Sequence, residues 1–202
     1  MGITQKVTST IDKIKPQKEA KPVETKVHRS PKTVRRYERV DNILDFLRVI
    51  EKHGDKIAFS YFDKKRKVKD MSYTRLSRRV KRMAAALTEK GYAGKKIALI
   101  GESSPNWIIT YLAVLATGGV AIPMDKELEI SSIEGFLEFV EADGILYSST
   151  FNGKFKNAQE NHKSLTLFLA IDPDEAEAQG RGVISYRQMM EAGKTALEAG
   201  YK

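Results

Sequence analysis

The 202-residue sequence predicts an α/β fold with a mostly parallel, helix-covered sheet. Two observations carry that expectation. The block from Lys96 to Leu128, KIALIGESSPNWIITYLAVLATGGVAIPMDKEL, opens on the continuous apolar run Ile97-Ala98-Leu99-Ile100, the pattern of a strand covered on both faces. A sharp turn, a nearly all-apolar helix, a Gly-Gly stop and a second short strand follow. The rest of the body alternates strand and helix without an internal repeat, which is how parallel sheets are wound.

Residues 41–202 form the expected body, and each element has a local reason. Asp41 can cap a helix whose apolar positions are Ile43, Leu44, Phe46, Leu47, Val49 and Ile50, ending near Gly54. Ile57 to Phe62 and Val68 to Ser72 flank the polar tip Asp63-Lys64-Lys65-Arg66 and predict a hairpin. The stretch from Tyr73 to Lys90 places Leu76, Val80, Met83, Ala84 and Leu87 on one helical face. Arg75, Arg78, Arg79, Lys81 and Arg82 crowd the remainder, and Gly91 ends it. Ser104 and Pro105 supply an N-cap and a first-turn proline for a helix through Ala116, stopped by Gly118-Gly119. Val120 to Ile122 reads as a strand that Pro123 ends. Ser131 and Glu134 form a capping-box pattern for a helix to about Glu141. Ile145 to Tyr147 and Leu165 to Ile171 complete the strands, and a last helix opens at Ser185 with Gln188 as its capping-box partner.

Composition removes several function classes. There is no cysteine, which excludes disulfides, thiolate metal sites and cysteine nucleophiles and suits a reducing cytoplasm. Trp107 to Ala116, the longest nearly apolar run, is too short to cross a bilayer. The N-terminus lacks the apolar core of a secretory signal, and Lys6 stands where a myristoylation motif needs Ser or Thr. The net charge of +9 suggests nucleic acid until it is divided along the chain. Residues 1–40 hold 11 Lys/Arg against 4 Asp/Glu, and the body holds 24 against 22. The basicity therefore belongs to a tail whose composition predicts disorder, and no specific nucleic-acid partner is expected. A stripe of Ile3, Val7, Ile11 and Ile14 offers membrane contact through the tail, but Thr8, Ser9 and Thr10 resist the helix this needs, so a solvated tail is expected.

The motifs in the body read as architecture. Gly101-Glu102-Ser103-Ser104 lies between strand and helix, where phosphate turns occur, yet it is neither G-x-G-x-x-G nor a P-loop. Gly118-Gly119 and Gly180-Arg181-Gly182 read as a helix stop and a loop. His28, His53 and His162 are scattered and lack carboxylates at ligand spacing, so no metal site is expected. Lys64, Lys65, Arg66 and Lys67 read as a solvated hairpin tip. Trp107, Tyr111 and Leu115, at i, i+4 and i+8, read as a core stripe. Glu102 and Asp125 sit at the C-terminal ends of expected strands, where α/β sheets bind ligands, but sequence names no partner for either.

Three ordered segments resemble one family, the AMP-forming acyl-CoA synthetases of the adenylating-enzyme superfamily. Met71-Ser-Tyr-Thr-Arg-Leu76 is similar to its early Leu-Ser/Thr-Tyr-x-Glu-Leu motif, with Arg75 in place of Glu. Gly101-Glu-Ser-Ser-Pro-Asn-Trp107 resembles the Glu-Asn-x-x-Glu-Trp segment of long-chain fatty-acid–CoA ligases, with Ser103 and Asn106 in place of Asn and Glu. Leu115-Ala-Thr-Gly-Gly-Val-Ala-Ile-Pro-Met-Asp125 is similar to Leu-Lys-Ala-Gly-x-Ala-Tyr-Val-Pro-Ile-Asp. The similarity runs from about residue 41 to 200 and implies an incomplete, N-terminal portion of an adenylating-enzyme fold. For the full-length family it implies ATP, magnesium and coenzyme A, and a fatty acid converted through an acyl-adenylate to its thioester. The family's phosphate loop, magnesium carboxylate, ribose Asp and late catalytic Lys match nothing here. The matched Tyr73, Leu76, Gly118, Pro123 and Asp125 are expected to be architectural. No residue is assigned as catalytic, cofactor-binding or metal-ligating. The expectation is a segment inactive alone, its partner being the remaining C-terminal portion or a companion chain. The alternative is a non-catalytic interaction module on the same fold.

Overall fold

The computed structural model describes residues 38–151, 154–155, 164–171 and 183–200. The expected tail disorder, the Ile3–Ile14 stripe, His28, His162 and Gly180-Arg181-Gly182 lie outside the described residues. Within the unit that begins at Glu38, helix α1 (Ile43–Glu51) leads into the antiparallel hairpin β1 (Ile57–Phe62) and β2 (Val68–Ser72). Then come α2 (Tyr73–Glu89), β3 (Lys96–Ile100), α3 (Pro105–Ala116), β4 (Val120–Met124) and α4 (Ile130–Phe139). The chain continues through β5 (Gly144–Tyr147), a 3-10 turn at Ser149–Phe151, β6 (Leu167–Ala170), β7 (Val183–Ser185) and α5 (Tyr186–Glu198).

Strands β3 to β7 form one parallel sheet in the order β4-β3-β5-β6-β7. Winding starts at β3, moves to β4 on one side, then crosses back to β5 on the other, the doubly wound pattern. Alternation along the central strands divides the interior in two. Ile97, Leu99, Leu146, Leu167 and Leu169 face α1, α2, α3 and α5. Ala98, Ile100, Ile145, Tyr147 and Phe168 face Ile133 and Leu137 of α4, with Phe151 and Phe155. No described helix is long and apolar enough to cross a membrane.

Four local expectations are corrected. Asn42, not Asp41, caps α1, its Oδ1 accepting from the Asp45 amide at 2.9 Å, while Asp41 pairs with Arg39. Asn and Asp are equally good caps, so adjacent candidates cannot be ranked by residue type. The Ser131–Glu134 capping box does not form, because α4 starts at Ile130 after an extended Glu129 and Ser131 lies inside the first turn. Pro123 does not end β4, which continues to Met124. That strand is a sheet edge, where a missing N–H breaks no ladder. The edge strand β7 was not expected, since three residues carry no periodicity.

Candidate functional site

A doubly wound sheet binds ligands outside the carboxyl ends of its strands, at the point where winding reverses, here between β3 and β5. The turn after β3 carries Gly101, at φ 134°, directly over Ser148 at the end of β5. A Cβ on Gly101 would lie 2.5 Å from the Ser148 Oγ, so only glycine lets the turn approach this closely. Ser148 is 4% exposed, and its hydroxyl has no hydrogen-bond partner. Among the described residues, the turn after β3 therefore packs directly on the end of β5 at the switch point.

Beyond the switch point, the sequence-predicted Glu102 meets Lys126 across the β3 and β4 ends, the ammonium donating to both carboxylate oxygens at 2.8 and 3.0 Å. Glu102 holds the Lys126 pKa above its ordinary value. Asp125 turns back to accept from the Glu127 amide at 2.9 Å, and Glu127 stands 3.6 Å from the same ammonium. Glu102 and Asp125 thus share an edge, joined by a lysine that the sequence had not singled out.

A second cluster lies where α2, α3, β6 and α5 converge. Ser104 caps α3, its Oγ accepting from the Trp107 amide, so Asn106 occupies the first turn. The Asn106 Nδ2 donates to the Ile171 carbonyl at 3.2 Å, and its Oδ1 accepts from Arg79 at 3.4 Å. Arg79 lies 5.6 Å from the centroid of the Tyr186 ring. The Arg79 Nε and the Tyr186 hydroxyl are buried without partners. Burial pushes the Tyr186 phenol up, and Arg79 offsets only part of this. The readable signal was Asn106 itself, which stands where the resembling motif has Glu.

The other sequence candidates are structural. His53 packs on Tyr73, ring centroids 4.8 Å apart, and Trp107 stacks on Tyr111 at 5.5 Å. Leu76 is buried, and Gly118 closes its turn at φ 73°. A cavity of about 530 Å³ opens between α1, α2, α5 and the end of α3, lined by Leu44, Leu47, Val80, Ala84 and Ala116, away from the strand ends.

ATP with magnesium does not fit the described strand ends. A triphosphate needs several convergent donors and a metal needs oxygen ligands. At the β3–β4 ends the Lys126 ammonium is held by Glu102 and flanked by Asp125 and Glu127, while Arg79 is engaged by Asn106 and Lys154 lies over the Phe151 ring, so these cations do not converge. Among the described residues, no group of three His, Asp or Glu could hold a metal ion.

Comparison with known proteins places this fold. An acyl-CoA ligase of Bacillus subtilis (strain 168), itself uncharacterized, is 28% identical over 127 residues, 62% of this chain and 24% of the ligase. Tyrocidine synthase 2 of Brevibacillus parabrevis is 37% identical over 75 residues, 37% of this chain and 2% of that protein. The adenylation domain of a carboxylate reductase from Mycobacterium chelonae superposes with a TM-score of 0.64 at 19% identity, covering 78% of this chain and 30% of that domain. An anthranilate–CoA ligase in complex with anthranoyl-AMP gives 0.63 at 18% identity, with coverages of 74% and 28%. The two superpositions share the fold: an α/β parallel sheet covered by helices, matching part of each adenylation domain. The chain spans about a quarter of the length of its bacterial ligase relative. The profile of AMP-binding enzymes matches residues 46–196, from α1 to α5, and on that match the chain belongs to the AMP-binding enzyme family.

Proposed function

We propose that this chain forms the opening portion of an AMP-forming fatty acyl-CoA ligase, and that its 202 residues alone do not make the acyl-adenylate. The remainder of the catalytic fold comes from a longer or companion polypeptide. Similarity to an acyl-CoA ligase supports the reaction class, and the Glu102-to-Trp107 segment supports a long-chain acid. The observation that carries the claim of inactivity is the β3–β4 edge, whose lysine is neutralised by Glu102, beside the close packing of Gly101 on Ser148. Losing a single oxyanion-type donor already costs about 10²–10³ in rate. A site without a phosphate cradle is expected to give no measurable turnover. ATP–pyrophosphate exchange by the purified chain, with a saturated long-chain acid as substrate, is expected to stay at the no-enzyme level. Acid-dependent exchange above that level would overturn the claim.

A further inference from the structure

The β1–β2 hairpin has two chemically different faces. Phe59 and Tyr61 point inward and pack against the main core. Outward-facing Ser60 pairs with Asp70, the hydroxyl donating to the carboxylate at 2.7 Å, as a solvated face should. The next outward pair, nearest the tip, is Phe62 opposite Val68, and these are 72% and 62% exposed. Lys64, Lys65, Arg66 and Lys67, all exposed, form the turn beside that apolar pair, while Lys69, opposite Tyr61, belongs to the other face. Two acids lie among them, Asp63 accepting from the Lys65 and Lys67 amides at 2.9 Å and Asp70 accepting from Ser60, and the cations of the turn outnumber them.

The tip is also held rigidly. The Asp63 amide donates to the Lys67 carbonyl and the Arg66 amide to the Asp63 carbonyl, each at 2.9 Å. Arg66 sits at φ 57°, a left-handed position that glycine adopts without strain. A cation is thus kept where it strains the turn, beside an exposed aromatic and a β-branched residue. Stored strain of this kind is a starting point for a functional hypothesis.

We propose that this hairpin tip docks the protein on an anionic phospholipid bilayer, with Phe62 and Val68 entering the acyl boundary and the cations of the turn contacting the headgroups. Each Lys or Arg near such a surface raises affinity about fivefold, an effect that weakens with salt. Burying the Phe62 ring adds about tenfold or more. Because the turn is preformed, little ordering opposes binding. The aliphatic Val68 partner favours hydrocarbon over stacked bases.

The test uses the full chain with vesicles of phosphatidylcholine alone or with phosphatidylserine. Binding is expected to the anionic vesicles alone and to fall with added salt. Phe62→Ser with Val68→Ser is expected to weaken it at least tenfold without changing the melting temperature. Arg66→Gly should raise the melting temperature while weakening binding about fivefold, a split that a purely structural turn would not show. The chain has no cysteine, so Phe62→Cys and Phe139→Cys each accept one environment-sensitive fluorophore. The label at position 62 should shift to the blue on anionic vesicles, and the label at position 139, on α4, should not. Absence of binding would overturn the proposal. So would full binding by the hairpin variants, an unshifted label at position 62, or loss of vesicle binding to competing RNA that the apolar substitutions leave unweakened.

Discussion

Glu51, at the end of α1, accepts from the Ser77 hydroxyl at 2.5 Å and pairs with the Lys81 ammonium, tying α1 to α2. Those bonds, first from Lys81 and then from Ser77, hold its carboxyl below the ordinary value of 4.5. A carboxylate lowered in this way stabilises the fold fully above pH 4.5, and that contribution is lost as pH falls through the lower folded-state value. The Glu51 side chain is 38% exposed, so solvent screens the pair. Ser77→Ala is accordingly expected to cost only about 0.5–1 kcal/mol at neutral pH, with the deficit closing below pH 4.5 in parallel urea titrations. A deficit independent of pH would show that Ser77 acts through packing alone. Tyr186 offers the opposite case, a buried hydroxyl without a well-formed hydrogen bond, its burial offset only in part by the neighbouring Arg79. Removing an unsatisfied group costs nothing in lost bonding, so Tyr186→Phe is expected to be neutral or to stabilise by up to about 1 kcal/mol. A measured destabilisation in the same titration would show that Arg79 bonds the hydroxyl.

Between elements, α2 and α5 approach closely. A Cβ on Gly193 would lie 1.8 Å from the Arg82 carbonyl oxygen, which belongs to backbone and cannot swing away. Alanine is the better helix former by about 1 kcal/mol, but the clash forces two helices apart. Gly193→Ala is expected to destabilise by at least about 2 kcal/mol net, read as a lower urea midpoint at unchanged slope. Unchanged stability would mean that the helices are not seated this closely. Nothing in the sequence marked Gly193, which breaks an ordinary amphipathic helix pattern, because a helix–helix contact is a property of two segments. Elements set by local chemistry were readable. Ser104-Pro105 opens α3, Ser185 with Gln188 closes the capping box of α5, and the hairpin pairs Phe62 with Val68 across its tip. Elements set by neighbours were not. Pro123 is tolerated because β4 is an edge, and β7 exists because β6 offers it a ladder. At the strand ends, Glu102 was readable as a position, whereas its pairing with Lys126 required the β3–β4 register.

At the scale of the whole molecule, the near-neutral body conceals a polarity. Residues 38–90, which build α1, the hairpin and α2, carry 15 Lys/Arg against 8 Asp/Glu. Residues 91–151, which include α4, carry 3 against 8. Alternation along the central strands sends α2, with Arg75, Arg78, Arg79, Lys81 and Arg82 against Glu89, to one face of the sheet, and α4, with Glu134 and Glu138 and no Lys or Arg, to the other. Linear counting of charge sees the basic tail but averages this division away. A molecule with opposed charged faces attracts its own copies head to tail when screening is weak, and the Debye length shrinks from about 30 Å at 0.01 M salt to about 10 Å at 0.1 M. Light scattering by the purified chain is therefore expected to show mass above the monomer at about 0.01 M salt and to return toward the monomer above about 0.1 M. The molecule also exposes apolar side chains on α4, notably Phe139 at 82%, and apolar association is not screened by salt. Mass that persists or grows with salt would therefore assign self-association to the Phe136–Phe139 face instead, and Phe139→Lys would then abolish it.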